Sequence, residues 1–188
     1  MQPQLDAIVA QLESAQERLR GLTKGLPDHL WSTRPRPDSW SIAECVAHLN
    51  LTSQAYIPML RAAFSDARFT GQRGPRLYRR DLVGWIVSLS AGPLPRVGEW
   101  RFGRVKTIAA FVPGGDLDRA TTLDEFDRLQ DELIELSEDA EDRPLERMRI
   151  VSPFDARVTY NAYSALVILP RHQQRHLWQA EHMWRGLV

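Results

Sequence analysis

The chain has a single cysteine, Cys45. No internal disulfide can form, and no cysteine-based zinc module can be assembled. Net charge is missing too: 24 lysines and arginines stand against 24 aspartates and glutamates. The basic excess of a nucleic-acid-binding surface is therefore absent, and no nucleic-acid partner is expected. No stretch approaches the roughly 18 uninterrupted apolar residues of a membrane span. The first residues lack the basic segment and apolar run of a secretory signal. These absences point to a cytoplasmic protein with no membrane partner. There is no internal repeat and no low-complexity tract. What remains is 188 residues, 43% hydrophobic and 26% charged, which suffices for one domain with a real core.

The stretch LPRHQQRHLWQAEHM, residues 169–183, carries the most chemistry. His172 and His176 are four apart, so on a helix they sit about 40° apart and one turn above one another. That spacing lets two imidazoles share a metal ion. Gln179 falls within about 20° of His172 and continues the face. Going backwards, the same face carries Ile168, Ala165 and Asn161, so the histidines interrupt a largely apolar, inward-looking stripe. Buried imidazoles need a partner, because polar groups taken out of water without one are costly. A metal, a carboxylate or water would serve.

The rest of the chain reads as helices. Leu5, Ile8, Val9, Leu12, Ala15, Leu19 and Leu22 recur at helical spacing and predict a first helix over 4–24, ended near Gly25 and Pro27. The proline-rich segment 26–40 is expected to be extended and pinned by Trp31 and Trp40. Ser41 and Glu44 form a capping box, S-x-x-E, opening a second helix over 41–68 with Pro58 inside it. Residues 69–121 hold eight of the eleven glycines and four prolines, together with Arg73, Arg76, Arg79, Arg80, Arg96, Arg101, Arg104 and Lys106. They read as a long crossover with a short helix over 77–91 and a loop or strand-like excursion over 100–112. A crossover of this length can span a bundle and let the second and third long helices run parallel. Thr122 and Glu125 give another capping box and predict a third helix to about 142. Residues 143–158 read as a loop. The fourth helix is expected over 159–185, with Pro170 inside it and Gly186 as its stop.

Four long amphipathic helices with inward histidines describe an all-α four-helix bundle, a single domain over 1–188, with a polar site in its core. His48, on an inward face of the second helix, is the natural third ligand beside His172 and His176. Three protein ligands and an open position make a catalytic rather than a closed structural zinc site. Glu44, one turn before His48, can orient or pair with it, and Gln179 can bond to a ligand. Cys45 reads as small and buried rather than as a nucleophile, His182 as facing away, and His29 as surface. Without a metal, the three histidines would instead form a polar network closed by Glu44, Gln179 and Asn161. A fourth ligand, Cys45 or Glu44, would close the site and favour a non-enzymatic module with a structural ion. The crossover arginines, if clustered over a pocket, would select an anionic substrate.

The segment DSWSIAECVAHLN resembles the W-S-x-x-E-x-x-x-H-L stretch of the DinB-like (DinB/YfiT) superfamily. RHQQRHLWQAEHM resembles that superfamily's closing H-x-x-x-H-x-x-Q helix. The order of the two patches and the distance between them also agree. The resemblance implies a four-helix bundle in up-down-down-up order, with a divalent metal, zinc or nickel, held by His48, His172 and His176. It implies a homodimer acting on a small-molecule substrate. Characterised branches include transferases and isomerases that use low-molecular-weight thiols such as mycothiol or bacillithiol, so the resemblance also implies a metal-dependent, thiol-using transferase or a hydrolase. The nucleophile would be a water or a thiol activated by the ion.

Overall fold

The computed structural model describes residues 2–93 and 107–185 in full, and the backbone of 96–97, 100–101 and 186–187. Six helices carry it: α1 (Pro3–Lys24), α2 (Asp28–Trp31), α3 (Ile42–Phe64), α4 (Leu82–Ala91), α5 (Arg119–Asp139) and α6 (Ala162–Leu187). Two small antiparallel hairpins accompany them, β1 (Arg96–Val97) with β2 (Trp100–Arg101) and β3 (Arg149–Ser152) with β4 (Asp155–Asn161). Arg104 and Lys106, and the side chains of Arg96 and Arg101, lie outside the described residues. No helix among the described residues is long and apolar enough to cross a membrane.

The four long helices form the bundle, and cross-helix hydrogen bonds fix their directions. Asn50, Gln54 and Arg61 of α3 meet Thr122, Glu125 and Glu132 of α5 in order, so these two run parallel. Leu12 and Gln16 of α1 meet Gln130 and Asp127 of α5, so those two run antiparallel. Gln4, Gln11 and Arg18 of α1 meet Tyr163, Gln174 and Glu181 of α6, again in parallel. The first and last long helices therefore run one way and the middle two the other. A chain can do this only through a long connection between α3 and α5, and residues 65–118 supply it.

Two apolar clusters fill the bundle. One gathers Leu5, Ile8, Leu12, Tyr56, Leu60, Leu133, Tyr160 and Leu166. The other gathers Ala15, Leu19, Trp31, Ile42, Val46, Phe126 and Leu177. Each buried leucine contributes about 2 kcal/mol through the surface it removes from water. Polar side chains also lie buried in the bundle: Gln130 and Gln173 exchange two amide hydrogen bonds of 2.9 and 2.7 Å, and Gln130 also donates to the Leu12 carbonyl. Amides taken out of water need such full pairing.

Several expected boundaries move. The segment after α1 is not wholly extended, because one turn of helix, α2, forms at 28–31. The second long helix stops at Phe64 rather than near 68; Asp66 then accepts from the Arg68 amide and starts a 3-10 turn over Ala67–Phe69. The short crossover helix begins at Leu82, where the Asp81 carboxylate caps Gly84. The excursion expected over 100–112 holds β2 and a 3-10 turn at Ala109–Phe111. Helix α5 is capped by Asp118, whose carboxylate accepts from the Thr121 amide, and not by Thr122, which lies inside the helix and donates to the Asp118 carbonyl. The loop expected over 143–158 contains the β3–β4 hairpin, with Ile150 opposite Tyr160, so the helical bundle carries hairpins that the all-α expectation left out. Strand β4 also takes residues 159–161 from the expected fourth helix, and Gly186 does not stop that helix, which continues to Leu187.

Candidate metal centre

Two helix starts position the site. The Ser41 hydroxyl accepts from the Glu44 amide, and the Glu44 carboxylate accepts from the Ser41 amide. Both halves of the capping box are therefore made, which fixes where α3 begins and so where His48 points. Asn161 caps α6, its side-chain oxygen accepting from the Ser164 amide at 2.8 Å. Helical spacing then brings His172 and His176 round to face α3.

The three histidines meet. Ring centroids are 5.1 Å apart for His48 and His172, 4.5 Å for His48 and His176, and 4.6 Å for His172 and His176. One ligand nitrogen of each lies within 4.8 Å of the others. All three are buried, with exposures of 2%, 9% and 8% for His48, His172 and His176. No other histidine, cysteine or carboxylate among the described residues joins the cluster.

The Nδ1 of His48 donates to the Phe111 carbonyl at 2.8 Å. A carbonyl only accepts, so in the neutral ring Nδ1 holds the proton and Nε2 keeps its lone pair. That Nε2 faces the Nε2 of His172 at 3.3 Å. Two nitrogens bound to one tetrahedral zinc ion at about 2.05 Å stand about 3.3 Å apart. Burial lowers the pKa of all three rings; neighbouring histidines lower those of His172 and His176 next, and the positive charge of Arg175 adds to the effect on all three, with His172 falling to about 3. The Phe111 bond to His48 pulls the other way, as does a bond between Gln179 and His176. Neutral imidazoles are what a metal ion binds. The Nδ1 atoms of His172 and His176 are buried without a hydrogen-bond partner. The network expected from Glu44, Gln179 and Asn161 therefore leaves two ring nitrogens unpaired, and three imidazoles fit a divalent transition-metal ion.

Glu44, expected beside His48, spends its carboxylate on Ser41 and Arg34 instead. Asn161 is engaged at the start of α6 and also donates to the Arg79 carbonyl. Cys45 is buried beside Glu44 with its thiol pKa pushed far up, chiefly by burial. His29 is exposed, and His182 packs on Trp178.

Among the described residues, three aromatic rings border the cluster, none of them on a long helix. Trp40 stacks on His176 at 5.9 Å and lies 5.0 Å from His48. Phe111 lies edge-on to His48, and Phe154, at the tip of the β3–β4 hairpin, lies 5.9 Å from His172. Sequence reasoning took Trp40 only as a loop anchor and passed over Phe111, Phe154 and Arg175. Arg175 lies between the two histidines of the H-x-x-x-H pair, the one signal that pointed to it.

A family model described as the DinB superfamily matches residues 11–180. Among solved structures, YfiT from Bacillus subtilis, described as a probable metal-dependent hydrolase with an unusual four-helix bundle topology, is similar to this chain with a TM-score of 0.64. The likeness covers 100% of this chain and 89% of that one at 16% identity, and is one of fold. No curated protein matches the chain by sequence.

Proposed function

Because the chain belongs to the DinB superfamily, we propose that it is a metal-dependent enzyme, a hydrolase or a thiol-using transferase, with His48, His172 and His176 holding the ion. The observation that carries this reading is the convergence of three neutral, buried imidazoles with no fourth protein ligand among the described residues. When bound, zinc or nickel supplies Lewis acidity and lowers the pKa of a water or thiol at the open position. The Phe111 carbonyl holds the His48 ring in its ligating tautomer. Trp40, Phe111 and Phe154 shield the flanks of the cluster from water. The Arg175 charge disfavours protonation of all three rings and favours an anionic group on the small-molecule substrate. The description of YfiT supports the hydrolase arm.

The near-complete burial of the cluster favours a second reading, a non-enzymatic module with a structural ion. Elemental analysis of untagged protein tests the metal first. About one zinc or nickel per chain is expected, falling to background in His172→Ala while the helical circular dichroism persists. A protein that stays empty after reconstitution sinks the proposal. Hydrolysis assays, with and without an added low-molecular-weight thiol, then separate the two enzymatic arms.

A further inference from the structure

On the side of α6 away from α3, the parallel helices α1 and α6 leave a cleft of about 360 Å³. Ala7, Ile8, Val167 and Pro170 give it apolar walls, and two arginines, Arg80 from the crossover and Arg171 from α6, line it. The Gln4 amide bonds to the Tyr163 hydroxyl, and both of these side chains line the cleft as well.

The two arginines are tied to the same residue. Arg80 donates to the Ser88 hydroxyl at 2.6 Å, and Arg171 donates to the Ser88 carbonyl at 2.9 Å. Two guanidinium groups thus converge on one fully buried residue. Among the described residues neither has a carboxylate partner. The neighbouring carboxylate, Asp81, is engaged by the Gly84 and Asn161 amides and by Arg149. Part of the charge is explained locally, because Ser88 lies in the last turn of α4 and a helix C-terminus attracts cations. That end carries only about half a unit of negative charge. Arg175 already sits on it through the Ser90 carbonyl. Two further guanidiniums exceed what the helix end offsets. Arg80 uses one nitrogen on Ser88 and Arg171 uses only its Nε, so both keep N–H groups for the fork geometry that suits an oxyanion.

We propose that the cleft between α1 and α6 is a second ligand site, which takes a small organic oxyanion, a phosphate or carboxylate with a compact apolar body, by pairing its charge with Arg80 and Arg171. The apolar walls set the body and the two arginines set the head. A neutral analogue of the same shape leaves the two like charges uncompensated and binds poorly.

The test is a titration of the full-length, untagged protein, followed by amide chemical shifts, with phenyl phosphate, phenylacetate, inorganic phosphate and benzyl alcohol. Phenyl phosphate or phenylacetate is expected to bind at least ten-fold more tightly than benzyl alcohol, with the shifts centred on residues 3–11 and 163–171. Whichever of the two binds more tightly identifies the head group. Arg171→Gln should weaken that binding at least ten-fold. Because Arg171 also holds α4, a second variant, Ala7→Trp, leaves both arginines in place and fills the exposed edge of the cleft. It too should abolish binding, with an unchanged melting temperature. His172→Ala should bind the probes as the parent does. Loss of binding in His172→Ala would place the anion at the histidine cluster and overturn the proposal. So would binding that survives both Arg171→Gln and Ala7→Trp, or no binding of either aromatic anion.

Discussion

At the scale of single residues, the most informative side chains are those with two tasks. Glu44 closes the capping box of α3 and pairs with Arg34. Burial pushes its carboxyl up, but the bonds from Arg34 and Ser41 outweigh burial and hold it below the ordinary carboxylate value. Glu44→Ala should cost about 1 kcal/mol at neutral pH, read from urea unfolding. A carboxyl with a lowered folded-state pKa contributes stability that is fully present above its unfolded pKa of about 4.5 and is lost as pH falls through the folded value. The gap between parent and variant should therefore narrow in acid and stay constant from pH 6 to 8. Cys45 makes the opposite case. Its thiol is buried and its pKa is driven up, so the reactive thiolate is scarce. Native protein should not react with a thiol-specific chromogenic reagent over minutes, whereas denatured protein should react at once. Rapid native labelling would contradict the burial seen here.

Among elements, α4 shows how little apolar contact can fasten a helix. Only Gly84 and Ser88 are buried on it, while Leu82, Trp85, Ile86 and Leu89 face outward. Val87 and Ala91 pack on the core cluster, and both ends are tied: Asp81 at the start, and Arg80, Arg171 and Arg175 at the finish. Gly84 permits the close approach, since a Cβ there would lie 2.1 Å from the Ser164 hydroxyl. Gly84→Ala must lift α4 away from α6 and should destabilise by about 1–3 kcal/mol, the cost of overpacking. Hydrogen exchange should quicken across 82–91 first, and protection equal to the parent's would refute this. The same local view explains which elements could be read from the sequence. The Ser41 capping box was legible because the hydroxyl and carboxylate that make it lie three residues apart, within one turn. The Thr122 box had the same letters and no such role, because Asp118 caps the helix one turn earlier and pattern alone cannot rank two competing acceptors. The β3–β4 hairpin escaped notice because its first strand is four residues long and its turn contains Pro153. So short a period-2 pattern resembles a loop until Tyr160 finds Tyr56 on α3, a contact 104 residues away in sequence.

Over the whole molecule, the long helices supply the three histidines, and the connections between them supply the rings around them. The histidine cluster was legible because two of its members repeat at one helical turn and the third follows a recognisable helix start. The aromatic border was not, because Trp40, Phe111 and Phe154 come from three separate connecting segments whose meeting point depends on tertiary packing. Since the two apolar clusters consist of other residues, the fold should outlast removal of an ion. Treating metal-loaded protein with a chelator is expected to lower the melting temperature while leaving far-ultraviolet circular dichroism at 25 °C unchanged. Collapse of the helical signal would instead assign the ion a structural role.

The group that sets the proton on His48 is a main-chain oxygen of residue 111. Alanine scanning will therefore understate the crossover's importance, since Phe111→Ala deletes a ring and leaves that acceptor in place. Only a change that shifts the backbone, such as shortening the 3-10 turn by one residue or replacing the amide linkage with an ester, would reveal how far this distant connection governs the imidazole.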